Sequence, residues 1–221
     1  MHIKSASLIA ALALAAASSA QAEIVIDDWS VNQGPYDSSN GWNETVNGNM
    51  LGGLRRVFQQ NVGGLGQING EVSNNRLRVS GENGAQNFFG TYWDGENRGG
   101  IGGMDLSENG ENDRFRFDII TGNGDWRGTF LVKHTDGTFN RAEIDNSVDG
   151  GPFSGRVDIL FSDFTQTADF SSIEFVSFEI DLFNGSSSAS EVTVGTFRVV
   201  PAPSSALALG FAGLFATKRR R

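Results

Sequence analysis

Four aromatic residues stand out: Trp42, Trp93 and Trp126, each beside Gly, Asn or Asp, and Tyr92, next to Trp93. An indole or phenol face stacks on the apolar C–H face of a pyranose, while Asn, Asp and Arg satisfy the sugar hydroxyls. These four are therefore the candidate glycan contacts, with core or hairpin packing as the alternative for each. Tyr92 and Trp93 are adjacent, so on a strand they point to opposite faces and at most one of them belongs to any single site. Trp29 follows an apolar segment and reads as core.

Groups able to do catalysis are scarcer. The chain has no cysteine and two histidines, His2 and His134. Thiol nucleophiles, disulfides and thiolate metal sites are excluded. His134 alone would have to serve a Ser-His-Asp site, yet it sits at a strand end before a hairpin turn and no nucleophile-elbow motif accompanies any serine. One histidine without cysteine does not supply the usual zinc ligands. The 26 acidic residues allow a pair of carboxylates for glycoside hydrolysis, but most lie at turns, where Asp stabilises backbone geometry. The run Gly99-Gly100-Ile101-Gly102-Gly103 enters no helical pattern and no lysine follows it, unlike a phosphate loop. The sequence thus calls for no catalytic residue and no organic cofactor.

Calcium is the ion the sequence best accommodates. Asp105-Leu106-Ser107-Glu108-Asn109-Gly110-Glu111-Asn112-Asp113 crowds oxygen donors into one loop. It starts like an EF-hand loop, but Arg116 stands where that motif has its final glutamate. A structural calcium would use Asp105 or Asp113 with backbone carbonyls. Asp27, beside Glu23 and Asp28, offers a second cluster. A plain solvated acidic loop is the alternative.

The ends of the chain carry different information. Lys4, the apolar run Leu8 to Ala17 and the small-x-small pattern Ala20-Gln21-Ala22 have the order of a secretory signal peptide cleaved by signal peptidase before Glu23. At the other end, Pro201 and Pro203 stop the last strand and keep the chain extended. An apolar stretch follows, Ala206 to Ala216, shorter than a full membrane span, and then Lys218, Arg219, Arg220 and Arg221, which favour the cytoplasmic side. The formal net charge is −9. Without Lys4 and the four terminal basic residues, 12 basic residues remain against 26 acidic ones, a formal −14. Nucleic acid is excluded as a partner, because phosphate contacts need a basic surface.

Between these ends lie apolar runs separated by Gly, Asn and Asp clusters, with no long helical pattern. Strands are expected over residues 24–29, 54–60, 76–80, 87–93, 114–120, 128–134, 139–144, 156–161, 173–183 and 191–200. Several alternate strictly, as in Arg114-Phe115-Arg116-Phe117-Asp118-Ile119, which implies one wet and one buried sheet face. Asp136-Gly137 marks a hairpin, and Phe161, Phe164 and Phe170 read as a corner with inward-packed rings. The glycine-rich stretches 47–53, 63–70 and 95–103 read as loops. The expected fold is all-β, a single β-sandwich of jelly-roll type over residues 23–199, flanked by a signal-peptide helix (1–22) and a C-terminal hydrophobic sorting helix (within 200–221).

The C-terminal tripartite order of proline box, hydrophobic helix and Arg-rich end resembles the PEP-CTERM sorting signal of Gram-negative bacteria, with Ala202 where that family usually has Glu. The resemblance implies recognition by an exosortase-type membrane protease, transient inner-membrane anchoring, and delivery to the envelope, surface or extracellular matrix of a polysaccharide-making cell. The body, through Ile26-Asp27-Asp28-Trp29, Leu51-Gly52-Gly53-Leu54-Arg55-Arg56, Gly99-Gly100-Ile101-Gly102-Gly103-Met104-Asp105-Leu106 and Asn112-Asp113-Arg114-Phe115, is similar to secreted bacterial β-proteins of unassigned function. That likeness implies a galactose-binding-like jelly roll, in which calcium often lies near the first strand. The expectation is a non-catalytic module associated with extracellular polysaccharide. The alternatives are a purely structural surface protein and a carbohydrate-active hydrolase.

Overall fold

The computed structural model describes residues 23–37, 41–64, 66–82, 85–146, 151–165, 168–183 and 190–202. Ala20, Ala22, Pro203, Arg219, Arg220 and Arg221, with the two expected terminal helices, lie outside the described residues. The body forms one compact unit, Ile24–Ala202. No helix among the described residues is long and apolar enough to cross a membrane.

The body is all β. Its strands in chain order are β1 (Ile24–Asp27), β2 (Gln33–Asp37), β3 (Gly41–Asn47), β4 (Leu54–Gly64), β5 (Ile68–Ser73), β6 (Arg76–Gly81) and β7 (Ala85–Trp93). There follow β8 (Asn112–Asn123), β9 (Trp126–His134), β10 (Phe139–Asp145), β11 (Phe153–Leu160), β12 (Ile173–Phe183), β13 (Ser190–Val194) and β14 (Phe197–Pro201). They make two sheets. One is six-stranded, in the order β10-β9-β12-β7-β4-β3; the other has eight strands, β1-β14-β8-β13-β6-β5-β2, with β11 on the far edge of β8. Every strand pairing in both sheets is antiparallel.

Period-two alternation decides which side chains meet between the sheets. Along β8, Phe115, Phe117 and Ile119 point inward and are buried, and β9 does the same with Trp126, Phe130 and Val132. Phe130 stacks on Phe178 of β12 with centroids 4.4 Å apart, and Phe117 and Phe197 reach the same pair from the opposite sheet at 5.5 and 6.3 Å from Phe178. Burying each such ring contributes about 1.5–3 kcal/mol, so this aromatic layer is the main adhesive of a protein without disulfides. Gly70 on β5 is part of the fit: a Cβ there would lie 1.9 Å from Phe89 Cε2, so only glycine admits that ring.

The expected hairpin at Asp136-Gly137 joins β9 to β10, with Gly137 at φ +88° and its N–H donating to His134 O. The expected corner is present as well: Phe161 stacks on Phe170 at 3.7 Å, and Phe164 and Phe170 are buried. Two expectations change. The segment read as one strand over 191–200 is two, β13 and β14, lying end to end along β8 and interrupted at Gly195-Thr196, where Gly195 N–H donates to Asp118 O and Gly195 O accepts from Trp29 Nε1 at 2.7 Å. The stretch 63–70, read as a loop, instead holds the end of β4 and the start of β5. Ile68, Gly70 and Val72 face inward there, and the central glycine hides the alternation. At the C-terminal boundary, β14 runs through Pro201, which pairs with Asn112.

Candidate functional site

The outer faces of the two sheets differ in chemistry. On the eight-stranded sheet the outer side chains are mainly Arg, Asp and Glu in mutual pairs: Arg78 with Glu71 and Glu191, Arg114 with Asp113 and Asp158, Arg116 with Asp158, and Arg156 with Asp118. Such a surface is solvated and electrostatically closed on itself. On the six-stranded sheet, aromatic rings replace much of this ladder.

Register fixes the rows on that second face. Arg56 of β4 lies opposite Tyr92 of β7, which lies opposite Ser177 of β12. The neighbouring row runs Trp42 (β3), Phe58 (β4), Gly90 (β7), Glu179 (β12), Thr129 (β9) and Glu143 (β10). Trp42 is 45 % exposed. Its ring centroid is 4.8 Å from that of Tyr92, nearly edge-on, and 5.1 Å from that of Phe58. Two guanidinium groups lie over the same indole, Arg56 at 4.3 Å and Arg98 at 5.1 Å, within the range of cation–π attraction.

Gly90 shapes this cluster. A Cβ at position 90 would come within 2.6 Å of the Tyr92 ring and hydroxyl. Glycine therefore lets the tyrosine lie down along the sheet toward β12, where its hydroxyl donates to Glu179 Oε1 at 3.1 Å. Burial and the nearby Glu179 carboxylate push the Tyr92 pKa far up, so the phenol keeps its proton. Burial likewise raises the pKa of Glu179, with the neighbouring Asp181 carboxylate acting in the same sense and the Tyr92 and Ser177 hydroxyls opposing it. Asp181 is held by Arg127.

Arg56 is nine-tenths buried and pairs with Asp94, its Nε donating to Oδ1 at 2.9 Å. Burial and the like charge of Arg98 press its pKa down; Asp94, in direct contact, is the counter-charge that answers them. Beyond Asp94 the face opens into a cleft of about 250 Å³ lined by Asp94, Arg98, Gly100, Lys133, Phe139 and Phe175. Phe175 lies 5.8 Å from Tyr92 and ties the cleft to the aromatic cluster.

The structure divides the four aromatic candidates. Trp42 and Tyr92 come together on the outer side of the sheet, Trp42 open to solvent and Tyr92 largely covered beside it, 8 % exposed. Trp93 and Trp126 are fully buried and have no ring face left for a ligand. Trp93 packs on Trp29 and Phe197 and donates Nε1–H to Asp27, and Trp126 packs against Phe153. The alternation of adjacent residues puts Tyr92 outside and Trp93 inside, as the sequence requires.

The calcium candidates are engaged otherwise. Asp27 is fully buried; Oδ2 accepts from Arg55 at 2.8 Å and from Trp93 at 3.0 Å, and Oδ1 from the Trp29 N–H at 2.8 Å. A cation there would meet a guanidinium instead of free lone pairs. Asp105 organises its own loop, accepting from the Ser107 hydroxyl and from the Ser107 and Asn109 N–H groups, and the hydroxyl bond foremost holds its pKa below the ordinary 3.8. Asp113 pairs with Arg114. Among the described residues no three His, Asp or Glu side chains converge as a metal site. His134 is buried and hydrogen-bonded to Asn140 at 2.8 Å, a structural role.

The residues that sequence reasoning did not single out are Arg56, Arg98, Gly90, Glu179 and Asp181. The polar alternation Ser177-Phe178-Glu179-Ile180-Asp181 carried a signal for the last two, since it places three polar groups in a row on one face.

No protein-family model matches the chain, and no curated protein matches it. Among solved structures it is similar to a family 11 carbohydrate-binding module of the cellulosomal cellulase Lic26A-Cel5E of Clostridium thermocellum, at 16% identity and a TM-score of 0.41 over 83% of this chain and 97% of that one. It is also similar to a family 12 xyloglucanase from Bacillus licheniformis, at 13% identity and a TM-score of 0.41 over 76% of this chain and 100% of that one. Neither likeness assigns a ligand to this chain.

Proposed function

We propose that this protein is an exported, non-catalytic glycan-associated module and that its binding surface is the outer face of the six-stranded sheet around Trp42 and Tyr92. The observation that carries the reading is the exposed Trp42 indole, backed by Tyr92 and set among hydrogen-bonding groups, on a molecule whose other outer face is closed by ion pairs. An indole so placed supplies the stacking surface and its neighbours the polar contacts that sugar recognition needs. The alternation of chain segments between sheets, with β12 between β7 and β9, and β13 and β14 between β6 or β1 and β8, supports a jelly-roll arrangement for this module.

Retention on insoluble polysaccharides and a glycan array test the reading. Wild type is expected to be retained by at least one polysaccharide and Trp42→Ala to be lost from it with unchanged thermal unfolding. Absence of any retention would instead favour a purely structural surface protein. Trp93→Ala cannot serve here, because it would open the core.

The itinerary belongs to the same proposal: signal peptidase removes residues 1–22, and an exosortase-type protease acts on the tail containing Pro201, Pro203 and Arg219 to Arg221. Intact-mass measurement of the exported protein, before and after polysaccharide extraction, reports both cleavages and any covalent attachment. A full-length mass would refute the processing.

One observation favours the hydrolase as a second reading. Glu179, whose pKa is raised by burial, shares its face with Asp181 two residues along the strand, which puts the two carboxylates that glycoside hydrolysis uses on one side of the sheet. Release of reducing sugar by wild type, abolished in Glu179→Gln, would establish that reading; binding without release would dismiss it.

A further inference from the structure

The residues around Trp42 also specify the charge of what the face takes, and this inference rests on the glycan reading above. The body of the protein is acidic, yet two arginines crowd one indole at 4.3 and 5.1 Å. Their charges are not both answered. Asp94 pairs with Arg56, whereas the exposed side chain of Arg98 enters no ion pair or hydrogen bond among the described residues. Arg56 keeps an unpartnered Nη1 even though the residue is nine-tenths buried. The other cation on the cleft wall, Lys133, is taken by Glu174. Beside the exposed ring, therefore, the Arg98 guanidinium stands without a carboxylate partner among the described residues.

The loop is built to put that charge there. Arg98 has φ +63°, a left-handed conformation that non-glycine residues rarely adopt, between Gly95 at +68° and Gly100 at +88°. Gly95 is packed so closely that a Cβ would lie 2.1 Å from Gly100 O, and Gly52, from the short turn before β4, leaves room for Ile101. The loop is thus folded tightly on itself and on β4, with the arginine at its crest. A guanidinium presents paired N–H donors that match a carboxylate or sulfate in fork geometry.

We infer that the outer face of the six-stranded sheet selects anionic sugars, a carboxylate or sulfate group pairing with Arg98 beside the Trp42 ring while Arg56 supplies the second donor. The acidic surface elsewhere repels such polymers, which confines them to this face.

Polygalacturonate compared with its fully methyl-esterified form isolates the charge while keeping the sugar, and dextran sulfate compared with dextran does the same for sulfate. Wild type is expected to bind one acidic polymer at least tenfold more tightly than its neutral counterpart, with affinity falling as salt rises. Arg98→Gln, an exposed change, is expected to reduce the acidic form to the level of the neutral one. Arg156→Gln on the opposite sheet should change nothing. A preference for polygalacturonate assigns the carboxylate, and a preference for dextran sulfate assigns the sulfate. Equal binding of charged and neutral forms, or a preference that survives Arg98→Gln, overturns the inference and leaves the glycan reading intact. No retention by these or by neutral cellulose and xyloglucan overturns both.

Discussion

Arg55 and Arg56 are adjacent on β4, and pleating sends them to opposite faces of the same sheet. Arg55 is completely buried, and each of its guanidinium nitrogens has a partner: Nε donates to Gln33 Oε1 at 2.8 Å, Nη1 to Asp27 at 2.8 Å and Nη2 to Val31 O at 2.6 Å, with Trp29 beneath the guanidinium. Arg56 has one carboxylate partner, an indole in common with Arg98, and a nitrogen without a partner. The inner arginine fastens the segment from β1 to β2 onto the six-stranded sheet; the outer one retains bonding capacity. A buried charge whose nitrogens all have partners is architecture, whereas one left partly unanswered at the edge of an aromatic patch is poised for something else to complete it.

The largest expected effect breaks the inner half of this contrast. Arg55→Met leaves Asp27 buried without its counter-charge and should cost about 3–5 kcal/mol, read by urea denaturation. Arg98→Gln, on the outer side, should leave the unfolding midpoint unmoved, and equal losses would erase the distinction. Gly70→Ala follows. It forces a methyl into Phe89 and should cost about 1–3 kcal/mol without altering the outer face, so polysaccharide retention at a temperature where the variant is folded should be unchanged. Gly90→Ala addresses the outer face alone. Displacing the largely buried Tyr92 should weaken retention several-fold and cost about 1–3 kcal/mol of stability. Retention unaffected by that change would remove Tyr92 from the site.

The smallest effect is a pH dependence. Because the folded-state pKa of Glu179 is raised above the ordinary 4.5, the native state holds that proton more readily than the unfolded chain. Its contribution is favourable below pH 4.5 and is lost as pH climbs through the folded value. Glu179→Gln removes the titration and can still accept from Tyr92. The variant should therefore be more stable than wild type at neutral pH, and the advantage should shrink in acid. Denaturation at several pH values measures this, and an advantage growing toward low pH would contradict the assigned direction.

Much of the fold was legible because alternation is a local signal. The strands around Phe115, Phe130 and Phe178 declare their inner faces by period two, and Asp136-Gly137 declares its turn. Strands β2, β3 and β5 were missed because Pro35 and Gly34, the polar run Asn43-Glu44 and the inward Gly70 interrupt the pattern while tertiary pairing still recruits them. At the site, adjacency separated Tyr92 from Trp93 correctly but could not say that Trp126 turns inward, since its Gly and Asp neighbours look the same at a corner as at a surface. Arg98 left no signal: its position depends on a loop packed against β4, a long-range contact. Contacts join several of the quoted pieces in the fold, Asp27 with Arg55, Gly52 with Ile101, and Leu106 with Asn112.

Of the four tryptophans, Trp29, Trp93 and Trp126 are fully sequestered and Trp42 alone is open to solvent. The molecule thus carries a built-in optical reporter on the outer face of its six-stranded sheet. Soluble quenchers will extinguish chiefly one fluorophore, and the two flanking guanidinium groups should make iodide far more effective than caesium. Whatever settles on that ring will announce itself as shielded emission, without a label.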